Sequence, residues 1–340
     1  MPGFWDSQPV QDKGVNPGEI DASHIVPEVP NLPDGYKWST CTSEEAFAFI
    51  SEHYYDEDTT FRLKYTFDTM KWLAGEPIVI RNENEEIVGY STYTPIELCV
   101  ETSIKTFAQA NFLCVHRDYR NIGFTPMLIK ETVRRANDKN IWQGVATYKR
   151  DVKGSISKSK YFHRFLDVKK LVDIGFFKTN RLREKYYEIR GPCKHSWRRV
   201  TSKDVPRIVK ILKSYLKDYK ISPHVDESYV KKWILPIHSY ISDDSDDFIS
   251  FYEIPYERID DSREIKQAYR YFIVGDVYND AFLLAKNLGF HVFNSLDVGE
   301  DTEKLKRNKF MEGTGQIFYS LYNWCLSNAV KVDDFHVIIP

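Results

Sequence analysis

Residues 111–128 read NFLCVHRDYRNIGFTPML, an order of residue types that suits the holding of an anion. Phe112, Leu113, Cys114 and Val115 form an apolar run of the length expected for a short buried strand. A charged turn follows with Arg120, Asn121, Ile122 and Gly123, and glycine there lets the backbone bend or approach another group closely. Phe124, Thr125 and Pro126 lead into a helix. Thr125 suits the N-cap, and Pro126 suits the first turn, where a missing N–H costs nothing. Leu128, Ile129, Val133 and Ala136 then recur at near-helical spacing. The free N–H groups of such a turn, backed by the positive end of the helix dipole, cradle anions. The same features also describe an ordinary strand–turn–helix corner, and these residues alone leave both readings open.

Other candidate chemistry is sparse. Asp56, Glu57 and Asp58 form an acidic run that could attract a basic partner or simply be a solvated turn. The nine histidines show no ligand spacing, so no metal is expected. The five cysteines (Cys41, Cys99, Cys114, Cys193, Cys325) are scattered, with no C-x-x-C pair, and are expected to be reduced thiols. No His–Asp pair presents itself as a general base.

The elements that must position these groups follow from the chain. Its 340 residues suggest two domains, or one core built of two similar halves. The 47 basic and 49 acidic residues nearly cancel, so no global field argues for nucleic acid or a membrane surface. No apolar run is long enough to insert stably in a membrane, and there is no secretory leader; a cytoplasmic protein is expected. The 22 tyrosines and 21 phenylalanines suit a large core and aromatic-lined pockets. Residues 1–35 carry Pro2, Pro9, Pro17, Pro27, Pro30 and Pro33 and read as an extended arm, although FWDSQPV is too aromatic for a disordered tail. Thr42 begins a capping-box helix. Residues 76–96 read as a hairpin around NENE. GVATYKR (144–150) reads as a strand, and 158–176 contains a helix ending at Gly175. GPCKH (191–195) is the best boundary, dividing the chain into 1–190 and 191–340. Beyond it come a capped helix from T-S-K-D, a short helix near DESYVKKWIL, and a strand after the acidic turn 242–248. A helix–glycine–strand unit (278–297) and a glycine-led β segment (313–324) close the chain. The order of elements is similar in each half. Alternating strands and helices with long hairpins predict a mixed α/β sheet.

The turn R-N-I-G-F-T (120–125) resembles the pyrophosphate loop, [QR]-x-x-G-x-[GA], of the GCN5-related N-acetyltransferase superfamily. With FWDSQPV, NFLCVH, YYDEDTTFR, YFHR, SFYEIP, GFHVFNSLD and FYSLYNW it stands in the order and spacing of the glycylpeptide N-tetradecanoyltransferase, or N-myristoyltransferase, family. The resemblance runs from Phe4 to Pro340. It implies two acetyltransferase-like halves with pseudo-twofold symmetry, forming a saddle-shaped mixed sheet flanked by helices. The N-terminal half would bind myristoyl-CoA, and the C-terminal half would supply most of a groove for N-terminal glycine peptides and proteins.

The resemblance also implies roles. Gly3, Phe4 and Trp5 would cover the CoA end. The backbone N–H groups of Phe112 and Leu113 would form an oxyanion hole, with Cys114 and Val115 alongside the cofactor. Arg120, Asn121, Ile122, Gly123, Phe124, Thr125 and Pro126 would hold the CoA phosphates. Ile122 and Gly123 stand where relatives are often basic, so phosphate binding would lean on backbone N–H groups and Arg120. Tyr54, Asp56, Glu57, Asp58, Phe61 and Leu63 would flank the peptide groove, joined by Tyr161, His163, Phe176, Tyr269 and Asn294. Thr147 would lie near the substrate amine. Gly313 and Gly315 would keep a family turn, with Thr314 where an aspartate is usual. The apolar ending HVIIP should pack inside, with Ile339 at the substrate and the α-carboxylate of Pro340 as the base. No cofactor beyond the co-substrate myristoyl-CoA, no metal and a monomeric state are expected. An N-acyltransferase of another chain length, or a catalytically weak acyl-CoA or lipopeptide-binding protein, would share these features.

Overall fold

The structure, a computed structural model, describes residues 3–55, 60–176 and 184–339. Local signals place the first helix. The Thr42 hydroxyl accepts from the Glu45 N–H while the Glu45 carboxylate accepts from the Thr42 N–H, the reciprocal cap that starts α1 (Ser43–His53). β1 (Lys37–Ser39) precedes it, and β2 (Phe61–Leu63) and α2 (Phe67–Leu73) follow. The expected hairpin is β3 (Glu76–Arg81) with β4 (Ile87–Val100), its turn falling on NENE. β5 (Ser103–Val115) is 13 residues long, so the apolar run at 112–115 is the end of a long strand, not a short strand of its own.

α3 (Phe124–Asp138) starts earlier than expected. Gly123, at φ +89°, is the N-cap, and Thr125 and Pro126 lie inside the first turn. Glycine takes this left-handed conformation with no Cβ penalty, and the fully buried Phe124 anchors the turn in the core. β6 (Gln143–Tyr148) follows as expected. Residues 158–176 contain the expected helix, α4 (Val168–Asp173), which stops before Gly175 at φ +79°, and β7 (Ser155–Phe165) takes the part before it. The alternation in YFHRF fits a strand packed on both faces.

Next come β8 (Trp197–Arg199), α5 (Val205–Leu216) behind the Thr201–Asp204 cap, and β9 (Ile221–Pro223). α6 (Glu227–Tyr229) runs into a π-helical turn, Val230–Ile234. The chain then makes β10 (His238–Ser242), β11 (Phe248–Glu253), β12 (Tyr256–Arg258), β13 (Glu264–Ile265) and β14 (Gln267–Val274). α7 (Tyr278–Asn287), β15 (Val292–Leu296), α8 (Thr302–Arg307) and β16 (Met311–Tyr322) complete it.

One mixed sheet runs β1-β3-β4-β5-β6-β16-β7-β15-β14-β11-β10-β8, with β9 paired to β4. Its order is palindromic in kind. β5–α3–β6 and β14–α7–β15 are each a strand, a helix and a parallel strand, and each begins from antiparallel neighbours. Each unit then sends its next strand to the other: β7 pairs antiparallel with β15, and β16 with β6. β7 and β16 meet at the centre. The mixed α/β sheet of two matched halves is therefore present, with a strand from beyond residue 191 lying between β6 and β7.

After β16 the chain turns inward. Val337, Ile338 and Ile339 are buried as expected, without forming a strand. His336 is buried with them, stacked on Phe272 at 4.7 Å and edge-on to Tyr215 and Tyr219. Neither ring nitrogen has a hydrogen-bond partner among the described residues. Burial, reinforced by the Arg270 guanidinium, pushes its pKa from 6.5 down to about 3. The unfolded chain therefore takes this proton first. The stabilisation is complete above pH 6.5 and is lost progressively as pH falls towards 3, on the order of 2 kcal/mol by pH 5. His336→Phe, which keeps the ring stack, should flatten thermal stability between pH 7 and pH 5 relative to the native chain. Parallel pH profiles of the two proteins would rule this out.

Candidate active site

The expected oxyanion segment is irregular in a specific way. Tyr90 pairs with Cys114 and Thr92 with Asn111, so Phe112 and Leu113 together face the single residue Ser91. This is a β-bulge, and Phe112 within it sits at φ +52°, a conformation that L-residues seldom hold. The aromatic side chain keeps it there, buried edge-on against Tyr65 at 5.1 Å and Tyr54 at 5.8 Å. The bulge breaks the ladder and turns the backbone of residues 112–113 away from regular pairing. The Phe112 N–H donates to the Asn111 side-chain oxygen at 3.2 Å.

A cavity of about 1090 Å³ opens beside this bulge. On its phosphate-loop side it is lined by Phe112, Leu113, Cys114, Val115, Arg120 and Thr125. Arg120 also braces the loop: Nη2 donates to the carbonyls of His53 (3.1 Å) and Tyr55 (3.4 Å). Trp5 of the arm closes this end, edge-on to Tyr148 at 5.5 Å. Gly3 and Phe4 stand behind it, Phe4 edge-on to Trp5 at 5.0 Å, and neither lines the cavity. Asn121, Ile122 and Gly123 are exposed outside it, and Pro126 is half-buried and also off the wall. Phe124 packs 4.9 Å from Tyr36 in the core, so its side chain is not available to a ligand.

The opposite wall is aromatic. Phe61, Leu63 and Tyr65 line it from one face of β2 and its continuation, as do Tyr252, Ile254 and Tyr256. Tyr54, Tyr161, His163, Phe176 and Tyr269 complete it, and Tyr252 stacks on Tyr269 at 5.4 Å. Asn294 does not reach the cavity. Fully buried, it donates to Gln267 Oε1 at 2.6 Å and accepts from His163 Nδ1 at 2.7 Å, so it orients that histidine. Thr147 on β6 and Ile339 near the chain end also line the cavity. Asp56, Glu57, Asp58 and Pro340 lie outside the described residues.

Gly313 and Gly315 prove to belong to a wide bulge, not a turn. Glu312 pairs with Phe162 and Gln316 with Lys160, leaving residues 313–315 opposite Tyr161 alone. A Cβ on Gly313 would stand 2.3 Å from His163 Nε2, and one on Gly315 3.1 Å from the Tyr161 ring. Glycine here lets β16 close on both aromatic side chains, and Thr314 faces the cavity.

Ionisation limits what the site can do. Burial and neighbouring phenols push Tyr65, Tyr161, Tyr252 and Tyr269 well above the usual phenol range, so all are neutral hydrogen-bonding groups near pH 7. Burial pushes the Cys114 thiol up to about 12, which removes it as a nucleophile. Burial lowers His53 and His163, so both are neutral. Among the described residues no group of three or more potential metal ligands gathers, and no helix is long and apolar enough to cross a membrane.

Residues missed in the sequence were Asn111, Tyr65, Tyr252, Tyr256 and the corner 141–143. Strand parity carried the signal for several of them. Phe61, Leu63 and Tyr65 alternate with Arg62 and Lys64, which both pair with Glu257 (2.6 and 2.9 Å), Arg62 also reaching the cavity.

Comparison with known proteins agrees along the chain. Residues 18–159 match the family model of the myristoyl-CoA:protein N-myristoyltransferase N-terminal domain, and residues 177–336 that of its C-terminal domain. Glycylpeptide N-tetradecanoyltransferase 1 of Arabidopsis thaliana is 30% identical, across 99% of this chain and 88% of that protein. The glycylpeptide N-tetradecanoyltransferase of Plasmodium falciparum is 31% identical, across 94% and 89%. In fold, the chain matches Saccharomyces cerevisiae N-myristoyltransferase, solved with bound myristoyl-CoA, with a TM-score of 0.89 at 24% identity over 99% of this chain and 94% of that one.

Proposed function

Because the chain belongs to the myristoyl-CoA:protein N-myristoyltransferase family, we propose that it transfers myristate from myristoyl-CoA to the N-terminal glycine amine of peptides and proteins. The observation that carries this reading is the single cavity that joins a bulged strand end, the start of α3 and an aromatic groove. The CoA phosphates rest on N–H groups at the start of α3, with Arg120 beside them. The thioester oxygen points at the N–H groups of Phe112 and Leu113, which stabilise the negative charge it gains. The acyl chain lies under α3, against Ile129, Val133, Ala136, Ala108 and Ala110, the aliphatic part of the wall. The peptide enters along Tyr54, Phe61, Tyr161 and Tyr269, with Thr147 near its amine, and the acidic run Asp56–Asp58 attracts basic residues further along it.

The amine nitrogen attacks the thioester carbon, the C–S bond breaks, and CoA leaves as the thiol. The α-carboxylate of Pro340 takes the proton that frees the amine. Direct attack needs no acyl-enzyme, which agrees with the protonated state of Cys114. Residues 1–190 form the cofactor half and one side of the groove, and 191–340 the half that completes the peptide groove and brings Pro340, in a cytoplasmic monomer with no other cofactor.

The test is thiol release from myristoyl-CoA with a glycine-initiated basic peptide, against the same peptide with its amine acetylated. Release that depends on the free amine supports the reading. Tight acyl-CoA binding with no release would mark a binding protein instead.

A further inference from the structure

Ile141, Trp142 and Gln143, at the corner between α3 and β6, line the cavity together with the aliphatic residues of α3. α3 runs back along β5 from the phosphate loop. The step from Thr125 to Ala136 along its inner face covers about 16 Å at 1.5 Å per residue. The corner thus lies at the end of α3 remote from the phosphate loop, where an acyl chain running under that helix would finish. What closes it belongs to a distant part of the sequence. The His24 ring stacks on the Trp142 indole, with centroids 4.5 Å apart and planes 12° from parallel. Glu19 Oε1 accepts from Gln143 Nε2 at 2.8 Å and meets His24 Nε2 at 2.9 Å, so one carboxylate holds both wall and strap. His24 adopts φ +51°, a strained conformation for a non-glycine residue. The strap is anchored on either side of Glu19. Gly18 exchanges two backbone bonds of 2.8 Å with Cys325, and Asp21 exchanges bonds of 2.7 and 3.1 Å with the Asn323 amide.

We propose that this strap, Glu19 and His24 clamped on Trp142 and Gln143, is the end-stop that sets acyl-chain length. The inference rests on the acyltransferase reading above and adds the specificity determinant. A methylene that cannot enter a closed hydrophobic pocket loses about 1–3 kcal/mol of discrimination, which is 10–200-fold in kcat/KM. Trp142 is the stop itself, and Glu19 and His24 are positioning residues that keep the indole in place.

The experiment offers purified enzyme and a glycine peptide equal amounts of C12, C14, C16 and C18 acyl-CoA, and reads the acylated products by mass spectrometry. Trp142→Ala should raise the C16:C14 product ratio at least tenfold. Trp142→Phe, which keeps a stacking ring, should stay within a few-fold of wild type. Glu19→Ala/His24→Ala should move the ratio in the same direction by a smaller factor. A folded Trp142→Ala enzyme with the wild-type ratio overturns the proposal; if that variant does not fold, an unchanged ratio in the Glu19→Ala/His24→Ala protein does so. If wild type acylates nothing, the transfer reading fails, and acyl-CoA dissociation constants across the same chain lengths decide the end-stop by themselves.

Discussion

Exchanging Leu113 for its α-hydroxy acid, which turns one backbone amide into an ester, deletes its N–H and weakens the Phe112 carbonyl as an acceptor, should lower kcat by about 10²–10³-fold and leave myristoyl-CoA affinity nearly unchanged. The magnitude is that of losing one preorganised oxyanion donor, about 3–4 kcal/mol. The split between kcat and binding follows from when the charge appears: the thioester oxygen becomes anionic only as the amine attacks, so the donor acts in the transition state. The same exchange at Lys105, in the regular part of β5 opposite Leu98, deletes an N–H remote from the bulge and should leave kcat in place. Equal kcat for the Leu113 ester and wild type would remove the bulge from the mechanism. Phe112 is the less informative partner, because its N–H already donates to Asn111 Oδ1 and that amide must move aside before a thioester oxygen can use it.

This bulge also marks where the sequence stopped being legible. The apolar run, the glycine and the helix after it were readable one by one, because hydrophobic period and turn chemistry are local. The extra residue in β5 was not readable, since a bulge is defined by the register of a partner strand distant in sequence, here Ser91 of β4. The same limit explains residues 313–315. The glycine-led β segment expected from the residues is β16, but the resemblance implies a turn at Gly313 and Gly315, where the strand instead bulges with its backbone close to Tyr161 and His163 on β7. Thr125 failed as an N-cap for a local reason: Gly123 offered a left-handed start two residues earlier.

Long-range pairing hid the halves as well. Both strand–helix–strand units could be seen in the sequence, but the exchange of β7 and β16 between them could not, because no local signal says which sheet edge a strand joins. Asn294 is a groove residue only by the resemblance, which places positions and says nothing of burial. Its burial assigns it to the support of His163. The aromatic wall was half-read: single tyrosines were chosen from the resemblance, while the parity that aligns Phe61, Leu63 and Tyr65 was left unused.

Appending one glycine after Pro340 should abolish transfer while myristoyl-CoA still binds. Near pH 7 a peptide's N-terminal amine, with a reference pKa of about 7.7–8.0, is mostly ammonium and cannot attack until a base takes its proton. The described cavity offers poor candidates. Its tyrosines are held protonated by burial, and Cys114 likewise. His163 is neutral, but its Nδ1–H is committed to Asn294, and Nε2 faces the Gly313 backbone so closely that a Cβ there would stand 2.3 Å away. The proposed alternative is the α-carboxylate of Pro340, carried by the tail. Phe335 packs on Tyr319 at 4.9 Å, the His336 N–H donates to the Ile221 carbonyl at 2.7 Å, and Ile339 lines the cavity. Desolvation raises the pKa of a terminal carboxylate from about 3.3–3.7 towards a useful value. One added residue moves the carboxylate by about 3.5 Å, beyond hydrogen-bond reach of an unmoved amine, and a lost general base typically lowers the rate by about 10²–10⁴-fold. Raising the pH should partly restore the extended enzyme, because more amine is then already free. Normal turnover by the extended enzyme at pH 7 would overturn the carboxylate's role and return the search to His163, with His163→Asn as the deciding variant.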